Sequence, residues 1–168
     1  MRPTEDTAID SIDATNFDTF ITDARLTLRR ALVARYGPEV GTEVAADAIA
    51  YAWQHWDRLQ TMPNATGYLY RVAQSAAKRQ HRWQRAITLP AERPQRDVAG
   101  DSDVDPLTSA ALPAALARLK PDERVAVVLV HGYSWSYQEV ADLLDVPVST
   151  IRNHVHRGLV RLRTTLET

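Results

Sequence analysis

Residues 136–155 read SYQEVADLLDVPVSTIRNHV. The spacing predicts two short helices meeting across a tight corner, which is helix-turn-helix spacing. Val140, Ala141 and Leu144 are expected to face inward, with the small Ala141 allowing the two helices close approach. Asp145 falls at the corner, where the chain needs a residue that tolerates left-handed geometry, and Asp is one of the few non-glycines that does. Ile151 and Val155 then bury the second helix, expected over 148–163, against the first. Its outward positions are Ser149, Thr150, Arg152, Asn153 and His156, all able to hydrogen-bond to base edges or phosphates in a major groove. Arg157, Arg161 and Arg163 continue the same helix with guanidinium groups suited to phosphate. The plainer alternative is an αα-hairpin with a polar exterior.

Upstream of the corner, Leu112, Ala115, Leu116 and Leu119 predict a short amphipathic helix ending before Pro121. Asp122 and Glu123 sit where a helix N-terminus favours negative charge, ahead of the apolar run Val125–Val130 and a stop at Gly132. The β-branched run has strand propensity. Helix is the reading adopted, because its neighbours are helical and a lone strand has no partner.

Three apolar stripes precede this region. Phe17, Phe20, Ile21, Ala24, Leu28 and Leu32 form the first, which Gly37-Pro38 ends. The second is Val44, Ala45, Ala48, Ile49, Ala52, Trp53 and Trp56, with Ile49 and Trp53 expected to hold its helix on the core. Leu69, Val72, Ala73, Ala76 and Ala77 form the third, and residues 61–67 between the last two have turn chemistry. Residues 87–108, with Pro90, Pro94, Pro106, Gly100 and four Asp, read as a flexible linker. The expected architecture is therefore all-α: two small helical domains, at 15–86 and 109–168, joined by that linker and preceded by an acidic tail at 1–14.

Charge is segregated along the chain. The 168 residues carry 20 Lys+Arg against 21 Asp+Glu, yet residues 1–23 hold six acids and one base, and residues 71–96 hold seven bases and one acid. Two basic stretches flanking an acidic spacer suit a protein that touches a polyanion at two places. In the first of them, Tyr68, Tyr70, Arg71, Lys78, Arg79, Arg82 and Trp83 mix stacking surfaces with cations, as binding to unstacked bases requires. The alternative is that Tyr68 and Tyr70 belong partly to the core.

The same residues argue against other classes. With no Cys, thiolate nucleophiles and cysteine-ligated metals are excluded. His154 and His156 lie on different helix faces, and His55, His81 and His131 have no ligand-spaced carboxylate. No nucleophile elbow or glycine-rich phosphate loop appears, so no catalytic residue, metal or cofactor is assigned. The six-residue run Val125–Val130 is far short of the roughly 18 needed to cross a bilayer, and the acidic start is unlike a secretory signal. A cytoplasmic location is expected, with no membrane partner.

The stretch 112–166 resembles the fourth conserved region of bacterial RNA polymerase sigma factors of the extracytoplasmic-function class. The matching details are Leu119, Pro121, Arg124, Ser136-Tyr137-x-Glu139-Val140-Ala141, Thr150-Ile151-Arg152, and Arg157…Leu162-Arg163…Leu166. Residues 43–53 resemble that family's second conserved region, at the helix that docks on a coiled coil of the polymerase β′ subunit. Residues 68–73 resemble its promoter-facing helix. The resemblance implies an initiation factor whose partners are core RNA polymerase, through Glu43, Asp47 and Tyr51, and promoter DNA, with an anti-sigma factor as a further candidate partner. The minus-ten contact then falls to Tyr68, Arg71, Lys78, Arg79 and Arg82. The minus-thirty-five contact falls to Ser149, Thr150, Arg152, Asn153, His156, Arg157 and Arg161. Ala46 stands where the family usually has Gln, Ser75 where it has Asn, and 61–67 lacks the aromatic and acidic residues of the family's base-capturing loop. Those departures support an alternative, a helix-turn-helix regulator without productive polymerase docking.

Overall fold

A computed structural model describes the backbone of residues 6–87 and 106–167, and the side chains at 16–80 and 111–167. Every element among the described residues is helical: α1 Asp6–Tyr36, α2 Pro38–Gln54, α3 Trp56–Leu59, α4 Ala65–Ile87, α5 Pro106–Ala117, α6 Pro121–Val127, α7 Tyr137–Leu144 and α8 Val148–Leu166. Residues 125–130 are helical too, and α6 runs on into a π-helical turn, Val128–Gly132, that ends at the expected glycine. Residues 88–105, most of the segment read as a linker, lie outside the described residues. The helices take up its two ends, α4 reaching Ile87 and α5 starting at Pro106. The chain falls into two compact units, one made chiefly of residues 1–77 and the other chiefly of residues 78–168.

In the first unit, α1 begins at Asp6, inside the segment read as an acidic tail. No Gly or Pro interrupts residues 6–36, and acidic residues suit a helix N-terminus. Gly37 ends α1 with φ 86 and ψ 171, a region open essentially to glycine alone. Pro38 then starts α2, where its missing N–H costs nothing. The α1 and α2 backbones come close at Gly41, where a Cβ would lie 2.5 Å from the Leu32 carbonyl oxygen and from Val33 Cα. The core comprises Ala24, Leu28, Ala31 and Leu32 of α1, Val44, Ala45, Ala48 and Ala52 of α2, Leu59, and Leu69, Tyr70, Ala73 and Ala77 of α4.

Two expectations are corrected here. Trp53 is 66% exposed and Ile49 half-buried. Trp53 lies in the last turn of α2, where its ring meets Phe17 edge-on at 4.9 Å and caps the rim of the core. Tyr70 is 1% exposed, since residues two apart on a helix point to different sides. It is a core residue and offers no stacking face, and burial raises its phenol pKa, with the nearby Arg35 opposing.

The second unit buries Ala115 of α5, Leu119 in the turn after it, Val125, Ala126 and Val127 of α6, Leu129, Val140 and Ala141 of α7, and Ile151, Val155 and Leu162 of α8. Leu144, expected to face inward, is half-buried, whereas its neighbour Leu143 is buried. Ala115, Leu119, Val127 and Leu162 make one cluster, so α5 and α6 together cover the C-terminal half of α8.

Candidate nucleic-acid interface

Both ends of α7 are fixed by hydrogen bonds that the local sequence specifies. At its start the Ser136 hydroxyl accepts from the Glu139 N–H at 3.1 Å. In return Glu139 Oε2 accepts from the Ser136 N–H and hydroxyl, each at 2.7 Å. This is a capping box, and its S-x-x-E signature at 136–139 passed unremarked in the sequence. The serine hydroxyl, and then its N–H, hold the Glu139 carboxyl below its ordinary pKa.

At the end of α7, Asp145 has φ 56, the left-handed geometry expected of it. The Asp145 N–H donates to the Asp142 carbonyl at 3.3 Å and the Val146 N–H to the Ala141 carbonyl at 3.1 Å. That pair of bonds is a Schellman ending. Pro147 follows and serves as N-cap of α8, its carbonyl accepting from Thr150 N–H at 2.9 Å. The corner is thus closed by backbone bonds at each step, and α8 leaves it in a defined direction.

Along α8, Ile151, Val155, Gly158 and Leu162 are buried, a helical seam. Ser149, Arg152, Asn153, His156 and Arg157 are exposed, and Thr150 is half-buried. Five of the six residues expected to face DNA on the first three turns, two of them arginines, are therefore solvent-facing on one helix. Arg163 lies 3.3 Å from Glu167 one turn on. Arg161 is differently placed: its guanidinium hydrogen-bonds the carboxylate of Glu123, which is buried at 2% exposure. That partner is 38 residues away, and no local pattern points to it.

In the first unit, α2 exposes Glu43, Ala46, Asp47 and Ala50. Tyr51, one turn on from Asp47, lies at the edge of that face. It is half-buried, its hydroxyl meets the Tyr68 hydroxyl at 3.1 Å, and its ring stacks on His55 with centroids 4.0 Å apart. The Tyr68 bond is the main reason its pKa is raised. The Arg58 guanidinium lies over the Tyr68 ring at 5.6 Å. Residues expected to serve two different partners, Tyr51 and Tyr68, are thereby joined. Arg71, Lys78 and Arg79 are exposed on α4, while the Arg82 and Trp83 side chains lie outside the described residues.

The turn before α4 builds a concavity that sequence reasoning missed. Asn64 caps α4 by accepting from the Gly67 N–H at 2.9 Å. A cleft of about 450 Å³ opens beside it, lined by Phe20, Trp56, Leu59, Gln60, Met62 and Asn64 among others. The Trp56 indole N–H is buried with no acceptor among the described residues. No group of three or more His, Asp or Glu that could hold a metal occurs among the described residues.

Residues 109–162, from within α5 to the seam residue Leu162, match the family model for Sigma-70, region 4. The RNA polymerase sigma-E factor of Streptomyces avermitilis is 30% identical over 145 residues, covering 86% of this chain and 80% of that protein. The chain belongs to the RNA polymerase sigma factors, in their extracytoplasmic-function class. The sigma-E factor of Streptomyces coelicolor is similar as well, at 28% identity over 144 residues, covering 86% of this chain and 80% of its own. In fold, this sigma factor is like RpoE of Bartonella quintana, solved with the anti-sigma factor NepR. The TM-score is 0.60 at 19% identity, covering 91% of this chain and 98% of that one. The matched region 4 contains both the capping box and the Schellman corner.

Proposed function

We propose that this sigma factor binds core RNA polymerase through the exposed face of α2 and directs it to promoters through α4 and α8. The observation that carries the reading is the row Ser149, Arg152, Asn153 and His156, held outward on α8 by the closed corner before it. A helix presented in this way fits a major groove, where Arg and Asn can each make paired hydrogen bonds to a base edge. Residues 109–168 form the upstream, minus-thirty-five-reading domain, and residues 15–86 the domain that meets polymerase and the minus-ten element.

For the downstream contact, Tyr68, Arg71, Lys78 and Arg79 supply an aromatic face and cations for a single strand. The cleft before α4 adds a pocket at the place of the family's base-capturing loop, whose aromatic and acidic residues are lacking in 61–67. Lined by Phe20, Trp56 and Met62 with Gln60 and Asn64 beside them, it suits a planar group such as an extruded base. On α2, Glu43 and Asp47 provide the polar contacts to polymerase, and the exposed Trp53 beside them supplies apolar area. Tyr51, one turn after Asp47 at the edge of that face, holds α2 to α4.

Sigma factors are initiation factors without a catalytic site of their own, and bond-making belongs to the polymerase. No described helix is long and apolar enough to cross a membrane, and the working location is the cytoplasm, where polymerase and promoter are. An anti-sigma factor that covers the polymerase-binding face of α2 is the natural antagonist. Copurification of the full chain with core polymerase tests the reading against a regulator that binds DNA alone.

A further inference from the structure

Glu123 is the one charged side chain buried among the described residues, and nothing in promoter reading requires a carboxylate there. It lies in the first turn of α6, on the far side of the unit's core from the solvent-facing row of α8. Its side chain is 3% exposed, against 45% for its partner Arg161. A buried carboxylate is tolerated only when paired, so any movement that withdraws the guanidinium is opposed by the cost of leaving the charge bare.

A second contact between the same two helices lies one turn earlier. At Gly158 a Cβ would stand 2.6 Å from Val127 Cγ2 and 3.4 Å from the Glu123 carbonyl oxygen. The bare α8 backbone therefore rests on α6 at this point. A contact of that kind fixes how near the helices come but interlocks no side chain, so between Val155 and Leu162 the rotation of α8 is held by apolar packing without a directional bond. Arg161 reaches to Glu123 from the flank of the seam and supplies that bond. Side-chain tips on a helix lie about 6 Å from its axis, so a rotation of about 20° carries them about 2 Å. Hydrogen bonds to base edges tolerate only about 0.5 Å.

We propose that Glu123 and Arg161 form a positioning pair that sets the rotation of α8, and with it the register in which Arg152, Asn153 and His156 meet the bases. Arg161 acts through Glu123 and not as a phosphate contact. The proposal rests on the reading of α8 as the DNA-reading helix. It assigns sequence selectivity, as distinct from DNA affinity, to a carboxylate buried on the opposite side of the helix.

The test is a binding selection with the full chain assembled on core polymerase and a pool of duplexes randomised across the upstream contact. Arg161→Gln and Glu123→Gln should lower the preference for the best sequences over the pool mean about tenfold, roughly the worth of one well-aligned base contact. Affinity for one fixed non-specific duplex, and its salt dependence, should stay as in the wild type. The double variant Glu123→Met with Arg161→Met removes both charges at similar volume and so separates folding from positioning. It should keep wild-type helix content by circular dichroism and still select poorly.

Three results overturn the proposal. A folded double variant that selects as sharply as wild type rules out positioning. An Arg161→Gln variant that keeps its selectivity but loses about one unit of salt slope makes Arg161 a phosphate contact instead. A wild-type complex with no sequence preference removes the reading of α8 itself, and is told apart from the other two by the wild-type arm alone.

Discussion

The hydroxyls of Tyr51 and Tyr68 meet at 3.1 Å and tie α2 to α4. The two helices serve different partners in the proposed function, so the bond lies between the polymerase face and the promoter-facing helix. It is also the leading cause of the raised Tyr51 pKa. A tyrosine whose pKa is raised by folding contributes stability that is complete below its unfolded value near 10.0 and is lost as pH rises through the folded value. Tyrosinate absorbance during alkaline titration isolates Tyr51 when each protein is compared with its Tyr51→Phe counterpart. In Tyr68→Phe, Tyr51 should ionise at lower pH than in the wild type. Equal titration in the two backgrounds would show that the bond does not form in solution.

The capping box makes a prediction of opposite sign. Glu139 is held below its ordinary value of 4.5, so its contribution is present above that pH and fades as pH falls through the lower, folded value. Urea unfolding of Glu139→Gln should therefore differ most from wild type near neutrality and converge with it in acid. Ser136→Ala should cost about 1 kcal/mol at neutral pH, the usual worth of an N-cap. A pH-independent gap between Glu139→Gln and wild type would contradict the assignment.

Two glycines in the first unit should fail for different reasons. At Gly41 a methyl meets the backbone of Leu32 and Val33 at 2.5 Å, and backbone cannot rotate aside. Gly41→Ala should cost about 3 kcal/mol, the upper end for overpacking. Gly37 has open space around it but φ 86, so Gly37→Ala should cost about 1–2 kcal/mol through backbone strain alone. Chemical denaturation orders the two, and a harmless Gly41→Ala would mean that α1 and α2 do not approach as closely as described.

On α8, Arg152 is exposed on the outer row. Arg152→Ala should cost about 1–3 kcal/mol at particular base pairs and relax the preference there, while Arg157→Ala should weaken all sequences alike. Competitive binding to single-base variants of a selected site measures both. Uniform loss from Arg152→Ala would move it to the phosphate contacts.

The sequence was most informative where function depends on local geometry. The corner at Asp145 was legible because few residues accept a left-handed φ, and the outer row of α8 because its seam, Ile151 and Val155, repeats with the helical period. It was least informative where partners are distant. Arg161 reads as one more basic residue until Glu123 is placed beside it, and neither residue carries a local sign of the other. Trp53 falls on the second apolar stripe by spacing, but α2 ends one residue later at Gln54, so Phe17 covers only one edge of the ring. Tyr68 and Tyr70 look alike in sequence, and the helical period leaves one half-buried and sends the other to the core. The cleft beside Trp56 was illegible because α1, α3 and the turn before α4 all contribute to it.

Transcription in a defined system bears most directly on the central claim. Core RNA polymerase stripped of other sigma factors is incubated with the purified chain and genomic DNA of the source organism, and the 5′ ends of the transcripts are mapped. The account predicts initiation that depends on the chain, at a discrete set of sites sharing two sequence blocks, upstream and downstream. It also predicts loss of that initiation in Asp47→Arg, which places a like charge against the basic partner surface expected opposite Asp47 and leaves the fold intact. Binding of the chain to DNA with no chain-dependent starts, or full activity from a folded Asp47→Arg protein, would contradict it.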